Sequence, residues 1–183
     1  MAVGYSILPH LFPVAGIRLG TTEAGIKYTN RRDLVVIELV EGTQTAAVFT
    51  QNAFCAAPVQ VAKTHLEKSA PRYLLVNTGN ANAGTGHNGL EDAQNCCQLV
   101  ADNQGCSVDE VLPFSTGVIG EPLVLEVFQM GIPRAIANLS ELGWEDAAHG
   151  IMTTDTIAKG VSEVLELDGK KVTLTGIAKG SGM

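Results

Sequence analysis

Charge is scarce in this sequence: Asp, Glu, Lys and Arg make up 17% of the 183 residues, and the formal net charge is −7. The 12 basic residues are scattered, whereas nucleic-acid-binding proteins gather Lys and Arg on one face. The adjacent pair Arg31-Arg32 is followed at once by Asp33, which predicts a solvated turn. No run approaches the roughly 18 apolar residues of a membrane span, and no basic segment precedes an apolar run at the N-terminus. We therefore expect no nucleic-acid partner, no membrane insertion and a cytoplasmic location.

The usual sequence signatures of metal sites and hydrolases are also missing. The four cysteines contain no C-x-x-C spacing, which argues against a disulfide framework and a zinc site and predicts buried free thiols. The four histidines are far apart and outside any H-E-x-x-H pattern, and no G-x-S-x-G elbow occurs. We expect no metal. If the chain takes part in acyl transfer, its nucleophile is unconventional or lies elsewhere.

Hydrophobic residues, by contrast, make up 45% of the chain and are interspersed with 20 glycines. This composition supports one sizeable core built from short strands and helices joined by tight turns. No Pro/Ser-rich linker, repeat or abrupt change of composition divides the chain. The sequence therefore predicts an α/β fold, in a single domain or part of one spanning residues 1–183.

The apolar pattern of the first half predicts a hairpin and then a strand, a long loop and a helix. The β-branched runs 34–40 and 46–50 flank a polar turn and read as paired strands. A short strand at 73–76 is followed by a Gly/Asn loop. Apolar residues then recur at helical spacing over 90–101, and a stop signal follows at 103–105.

The second half predicts short helices and a closing hairpin. Residues 107–110 match a capping box, and Pro113 limits any helix that begins there. A helix over 123–139 is expected to be interrupted near Gly131 and Pro133, and another short helix is expected over 140–149. Asp168-Gly169 is the turn pair of a type I′ hairpin between strands at 161–167 and 172–177. The chain ends just after this apparent strand, so we expect further polypeptide beyond Met183.

One glycine pattern raises the alternative of a nucleotide-binding module. Gly84 to Gly89 read G-x-G-x-x-G before a predicted helix. In the dinucleotide fingerprint, however, the first glycine follows its strand directly, and here residues 77–83 intervene. A flexible loop is the simpler interpretation.

Three other segments carry groups suited to acyl transfer. Thr116-Gly117 can present a hydroxyl and a backbone N–H to a developing oxyanion, although Thr-Gly also occurs in ordinary turns. The hydroxyl cluster 153–156 can order a turn or bind a ligand's carboxylate and amide. Lys179, before a Gly-Ser-Gly turn, can neutralise a substrate carboxylate or can simply be an exposed lysine.

Taken in this order, these segments resemble the ornithine acetyltransferase family, also called glutamate N-acetyltransferase. The similar stretches are residues 46–59, 77–86, 115–120, 153–156 and 179–183, and the resemblance extends from about Gly16 to Met183. It implies the α/β (α+β) fold shared by this family and autoprocessing aminopeptidase-like proteins, with mixed sheets and flanking helices. It also implies that the chain is the α portion of a self-cleaved precursor, completed by a separate β chain, and most simply an α2β2 heterotetramer.

The resemblance also implies an activity and a set of site residues. Members transfer the acetyl group of N2-acetyl-L-ornithine to L-glutamate in arginine biosynthesis, through an acetyl-threonine on the β chain. Thr116 and Gly117 would form the oxyanion hole, while Thr156 and Lys179 would bind the acetylated amino acid. No cofactor is expected, and some members also use acetyl-CoA as an acetyl donor.

The sequence departs from the family pattern at two points. It stops a few residues short of the usual cleavage point, and Ala158 stands where proline is expected before Lys159. An autoprocessing amidohydrolase subunit, a nucleotide-binding module and a non-catalytic binding subunit remain alternatives at this stage.

Overall fold

The computed structural model describes residues 7–180. Its helices are α1 (Ala57–Lys68), α2 (Gly86–Gln104), α3 (Leu125–Ala137) and α4 (Trp144–Gly150), with a 3₁₀ turn at Val108–Glu110. Its strands are β1 (Ile17–Thr22), β2 (Leu34–Leu39), β3 (Tyr73–Asn80), β4 (Val111–Val118), β5 (Lys159–Leu167) and β6 (Lys170–Ala178). None of the helices described is long and apolar enough to cross a membrane.

The strands form one mixed sheet and one separate hairpin. The main sheet has the order β1-β2-β3-β4, in which β2 pairs antiparallel with both of its neighbours and β3 pairs parallel with β4. Pro113 is tolerated because β4 lies at the edge of this sheet. Within residues 7–180, the strands β5 and β6 pair only with each other.

The core lies on both faces of the main sheet because successive side chains of a strand point to opposite faces. On one face, Leu34 and Val36 pack with Phe128 of α3 and with the apolar side of α2. On the other face, Val35 packs with Trp144 of α4. The apolar run 34–37 of β2 therefore belongs to a central strand whose two faces are both covered.

The predicted hairpin over 34–50 is wrong in its second half. β2 forms as predicted, but its partners are β1 and β3, and residues 46–50 form no strand. Val48 is 99% exposed. The two flanking strands outcompete this segment because they cover both hydrogen-bonding edges of β2.

The predicted break near Gly131 and Pro133 is also wrong, because α3 is one helix from Leu125 to Ala137. Pro133 removes one backbone donor from it. The burial of Phe128, Ile132 and Ala135 against the sheet offsets this loss. A side chain at position 131 would approach Leu34 and Ala24 within 2.8 and 2.9 Å, so glycine allows the helix to pack closely.

Most of the other predicted elements are confirmed. The helix over 90–101 lies within α2. Gly105, which has a left-handed backbone conformation, follows the last residue of this helix and terminates it. Ser107 and Glu110 form the predicted capping box. Asp168 and Gly169 both have positive φ in the β5–β6 turn, as a type I′ turn requires. All four cysteines are free thiols as predicted, but only Cys96 and Cys97 are buried, and burial raises the pKa of each far above the ordinary value.

Candidate active site

A bulge at the ends of β3 and β4 forms the floor of the site. The parallel register pairs Thr78 with Thr116 and Gly79 with Gly117, and it then shifts at Asn80. Gly117 has φ +139°, and a Cβ there would lie 2.3 Å from the Gly79 carbonyl carbon. Only glycine fits at this position, because both the backbone conformation and the neighbouring strand exclude a side chain.

The bulge opens into a cleft of about 490 Å³. The cleft is lined by residues of β3, of β4 and of the loops after them, by the loop 153–154, by Lys179 and by the loop between β1 and β2. The lining residues are Tyr28, Arg31, Ala56, Gly79, Ala81, Ala83, Ser115, Thr116, Gly117, Val118, Ile119, Thr153, Thr154 and Lys179. The structure thus brings Thr116, Gly117 and Lys179 together, although 62 residues separate Gly117 from Lys179 in the sequence.

Asp155 holds the side of the cleft that carries Lys179. Its side chain is fully buried and accepts hydrogen bonds from Lys159 Nζ at 2.5 Å, Gly180 N at 2.8 Å and Thr153 N at 3.2 Å. Desolvation raises the pKa of Asp155, but the bonds from Lys159, Gly180 and Thr153 together outweigh it and lower the pKa from 3.8 to about 2. Asp155 is therefore ionised and fixes the loop before β5 to the end of β6.

Two cationic side chains face the cleft. Within residues 7–180, the Lys179 ammonium has no carboxylate at ion-pair distance. Arg31 is half-buried and donates from Nη2 to the Met152 carbonyl. A cleft with this charge suits a small ligand that carries a carboxylate.

The predicted solvated turn at Arg31-Arg32 fits only Arg32, which is exposed and pairs with Asp146 at 3.0 Å. Asp33 is buried and accepts from the backbone N–H groups of Ala24 and Ile26, at 2.7 Å each. This double acceptance shapes the loop that places Arg31 in the cleft. The local sequence gave no signal for this role, because the contacts of Arg31 lie more than 100 residues away.

Thr156, which was predicted to bind substrate, is exposed and does not line the cleft. Thr153 and Thr154, from the same hydroxyl cluster, do line it. The cluster was recognisable from sequence, but which of its members line the cleft depends on the loop conformation that the hydrogen bonds to Asp155 stabilise. The predicted motif at 179–183 lies in the described residues only as far as Gly180.

The glycines of the G-x-G-x-x-G pattern do not have the arrangement of the dinucleotide fingerprint. β3 ends at Asn80 and α2 begins at Gly86, so Gly84 does not follow the strand directly. Gly89 lies within α2 against Thr85 and Asn82, where a Cβ would come within 1.9 Å of Thr85 Oγ1. Its role here is close packing of the loop against the helix.

Comparison with known proteins identifies the family of this chain. A family model described as the ArgJ family matches residues 18–183. The chain belongs to the ArgJ family. Among curated proteins, the arginine biosynthesis bifunctional protein ArgJ of Methylococcus capsulatus is 57% identical over 173 residues, which are 94% of this chain and 42% of that protein. The ArgJ protein of Pseudomonas fluorescens is 53% identical over all of this chain and 45% of its own length. The chain thus spans less than half the length of these relatives.

Solved ArgJ structures have the same fold. The crystal structure of arginine biosynthesis bifunctional protein ArgJ from Bacillus halodurans superposes with a TM-score of 0.83 at 35% identity, covering 92% of this chain and 88% of that one. An ornithine acetyltransferase from Mycobacterium tuberculosis, solved in complex with ornithine, gives 0.84 at 32% identity, covering 93% and 91%. The predicted family and the mixed α/β fold are confirmed.

Proposed function

We propose that this ArgJ-family chain is the α portion of an acetyltransferase that moves the acetyl group of N2-acetyl-L-ornithine to L-glutamate. The observation that carries the proposal is the meeting of Thr116, Gly117 and Lys179 in one cleft. The first two residues can polarise a carbonyl, and the third can hold a carboxylate. The names of the relatives, one an ornithine acetyltransferase and others arginine biosynthesis proteins, support this substrate class.

The carbonyl-polarising part of the site consists of the Thr116 hydroxyl and the backbone of Gly117. Both belong to a strand end that packs against β3, so their positions are fixed before the substrate binds. Preorganised donors of this kind stabilise the oxyanion by about 3 kcal/mol each in comparable sites.

The proposed reaction is a double displacement. The hydroxyl of a threonine on the β chain attacks the acetyl carbon, activated by a nearby amine base, and an acetyl-threonine ester forms. The C–N bond of acetylornithine breaks, and the released amine takes up the proton lost by the threonine. The amine of glutamate then attacks the ester, which restores the threonine hydroxyl. Thr116 and Gly117 would stabilise the oxyanion in both halves, and Lys179 would hold the carboxylate of each amino acid in turn.

A second polypeptide, the β chain of the same precursor, is part of this proposal, in an α2β2 heterotetramer. The described surface supports a partner, because apolar side chains are exposed on the β5–β6 hairpin, with Val161 63% and Leu167 56% exposed. Phe54, in the loop before α1, is also exposed, at 66%. The chain also spans only 42–45% of its curated relatives.

The proposed transfer needs no bound cofactor. Acetyl-CoA would enter as a co-substrate that acetylates the same threonine, which would add a second activity consistent with the word "bifunctional" in the names of the relatives. A role in amino-acid biosynthesis also supports the cytoplasmic location predicted from the sequence.

The test is an acetyl-transfer assay on the complete protein, in wild-type form and as Thr116→Val. Removing one oxyanion donor is expected to lower kcat by about 10²–10³-fold. The matched control is Thr64→Val, which makes the same chemical change on α1, where the hydroxyl bonds only the Gln60 carbonyl at 3.1 Å. This control is expected to keep the wild-type rate.

Two results would contradict the proposal. One is a wild-type protein that hydrolyses N-acyl amino acids but transfers nothing to glutamate, which would indicate an amidohydrolase. The other is a Thr116→Val variant as fast as Thr64→Val. Mass spectrometry is expected to find a co-purifying polypeptide of similar size whose N-terminal residue is threonine.

A further inference from the structure

We propose that Asn77 is a positioning residue that fixes the position and orientation of the Thr116 hydroxyl and of the Gly117 backbone. It would act through the hydrogen bond that it accepts from Ser115 and through the one that it donates to the Asn80 carbonyl at the bulge. This inference rests on the proposed function and extends it to a side chain that does not line the cleft.

Asn77 connects the two strands two pairs before the register shifts at Asn80. It is 3% exposed and lies opposite Ser115 in the parallel register. Its Oδ1 accepts from Ser115 Oγ at 2.6 Å, and its Nδ2 donates to the Asn80 carbonyl at 2.8 Å. One amide therefore ties both strands together directly before Thr116.

The regular ladder does not fix Thr116 by itself. Thr116 pairs with both Thr78 and Asn80, because the register shifts there. Side-chain and loop bonds take over beyond this point. Asn80 Nδ2 donates to the Pro122 carbonyl at 3.0 Å, and Ala81 N donates to the Val118 carbonyl at 2.8 Å. Asn77 therefore fixes the chain directly before Thr116 and Gly117, and these bonds fix the chain after them.

Positioning explains why a buried amide is present at this point of β3. The strand buries apolar side chains at Tyr73 and Leu75, and an apolar residue at 77 would avoid desolvating two polar groups. The amide instead makes two short, directional bonds whose partners are the residue before Thr116 and the bulge beside it. An error of about 1 Å in the placement of a catalytic group can lower a rate by about 100-fold.

The test compares Asn77→Ala, Ser115→Ala and the double variant in the complete protein. Each single variant is expected to lower kcat by about 10–100-fold with KM within about twofold of wild type, as expected for an interaction that acts in the transition state. The double variant is expected to be no slower than the slower single variant, because both changes break the same bond.

The control is Thr85→Ala, which removes a hydrogen bond of 2.7 Å to the buried Asn82 Oδ1 in the neighbouring loop. It is expected to lower Tm and leave kcat unchanged. Ser115→Ala removes a single oxygen atom, so it tests the inference even if Asn77→Ala does not fold.

Two results would overturn the inference. The first is a pair of folded single variants with wild-type kcat and a lowered Tm, which would make the amide purely structural. The second is a double variant whose loss is the product of the single losses, which would show that Asn77 and Ser115 act independently. Failure of the proposed function is a separate result, because wild-type protein would then transfer no acetyl group.

Discussion

Gly117→Ala tests whether the contact between β3 and β4 controls catalysis. The added Cβ would lie 2.3 Å from the Gly79 carbonyl carbon, 2.5 Å from Asn80 N and 2.6 Å from the Gly79 carbonyl oxygen. Ordinary contact begins near 3.4 Å, so the strands must separate by about 1.1 Å, the difference between 3.4 and 2.3 Å. All three atoms belong to backbone, which cannot rotate away.

Two effects contribute to the expected loss. A separation of about 1 Å would misplace the Thr116 hydroxyl and lower kcat by about 100-fold. In addition, alanine at φ +139° is strained, and a residue in such a conformation costs about 1–3 kcal/mol of stability. Steady-state acetyl transfer and urea unfolding of the complete protein measure the two effects separately.

Gly120→Ala is the matched control. Gly120 also has a positive φ, +80°, but no atom lies within 4 Å of its added Cβ. This variant is expected to lose stability through strain and to keep kcat within about threefold of wild type, since no strand must move. If Gly117→Ala proved as active as Gly120→Ala, the fixed spacing of β3 and β4 would not be what sets the rate.

Three further predictions follow from other parts of the structure. Lys179→Met is expected to raise KM for acetylornithine by about 10–100-fold with a smaller change in kcat, because a charged hydrogen bond contributes about 1.5–3 kcal/mol; an unchanged KM would remove Lys179 from substrate binding. Because the pKa of Asp155 is lowered to about 2, its stabilising effect is present above pH 3.8 and is lost as the pH falls toward 2. The free energy of unfolding of the wild-type protein should therefore fall by about 1–2 kcal/mol in that pH range. Asp155→Asn should have a free energy of unfolding lower by this amount at pH 7 and should lack that part of the pH dependence. If the free energy of unfolding changed with pH in the same way in both proteins, the assignment would be contradicted. Phe128→Ala, at a side chain 1% exposed, is expected to cost about 3–5 kcal/mol in urea unfolding, and a loss below 1 kcal/mol would mean that α3 repacks.

Local signals in the sequence predicted the elements whose stability is local. The turn at Asp168-Gly169, the capping box of Ser107 and the end of α2 at Gly105 each depend on residues within a few positions of one another. The partners of β2 depend on chain segments up to about 40 residues away, so periodicity could not distinguish a hairpin arm from a central strand. The same limit applies to α3, where contacts with the sheet outweigh the local effect of Pro133.

The sequence identified a set of candidate site residues, and the structure brings some of them, but not all, into one cleft. Thr116, Gly117 and Lys179 were singled out by residue type and order, and the structure places them in one cleft. Whether Thr153 or Thr156 of the hydroxyl cluster lines the cleft depends on the path of the loop around Asp155. Three hydrogen bonds to Asp155 stabilise this loop, one of them from Gly180, 25 residues later. Asn77 gave no separate signal, because its importance lies in a bond to Ser115, 38 residues away.

In the described part of the chain, the β5–β6 hairpin shares no strand ladder with the main sheet. Thr116 is held by the sheet, whereas Lys179 follows the hairpin and is placed by the loop bonds of Asp155. Under the proposed function, the distance between the groups that polarise the carbonyl and the lysine that holds the carboxylate would therefore be set by the loop that contains Asp155. Homologues that bind a shorter or longer amino acid would then differ in this loop, whereas Thr116 and Gly117 would stay the same.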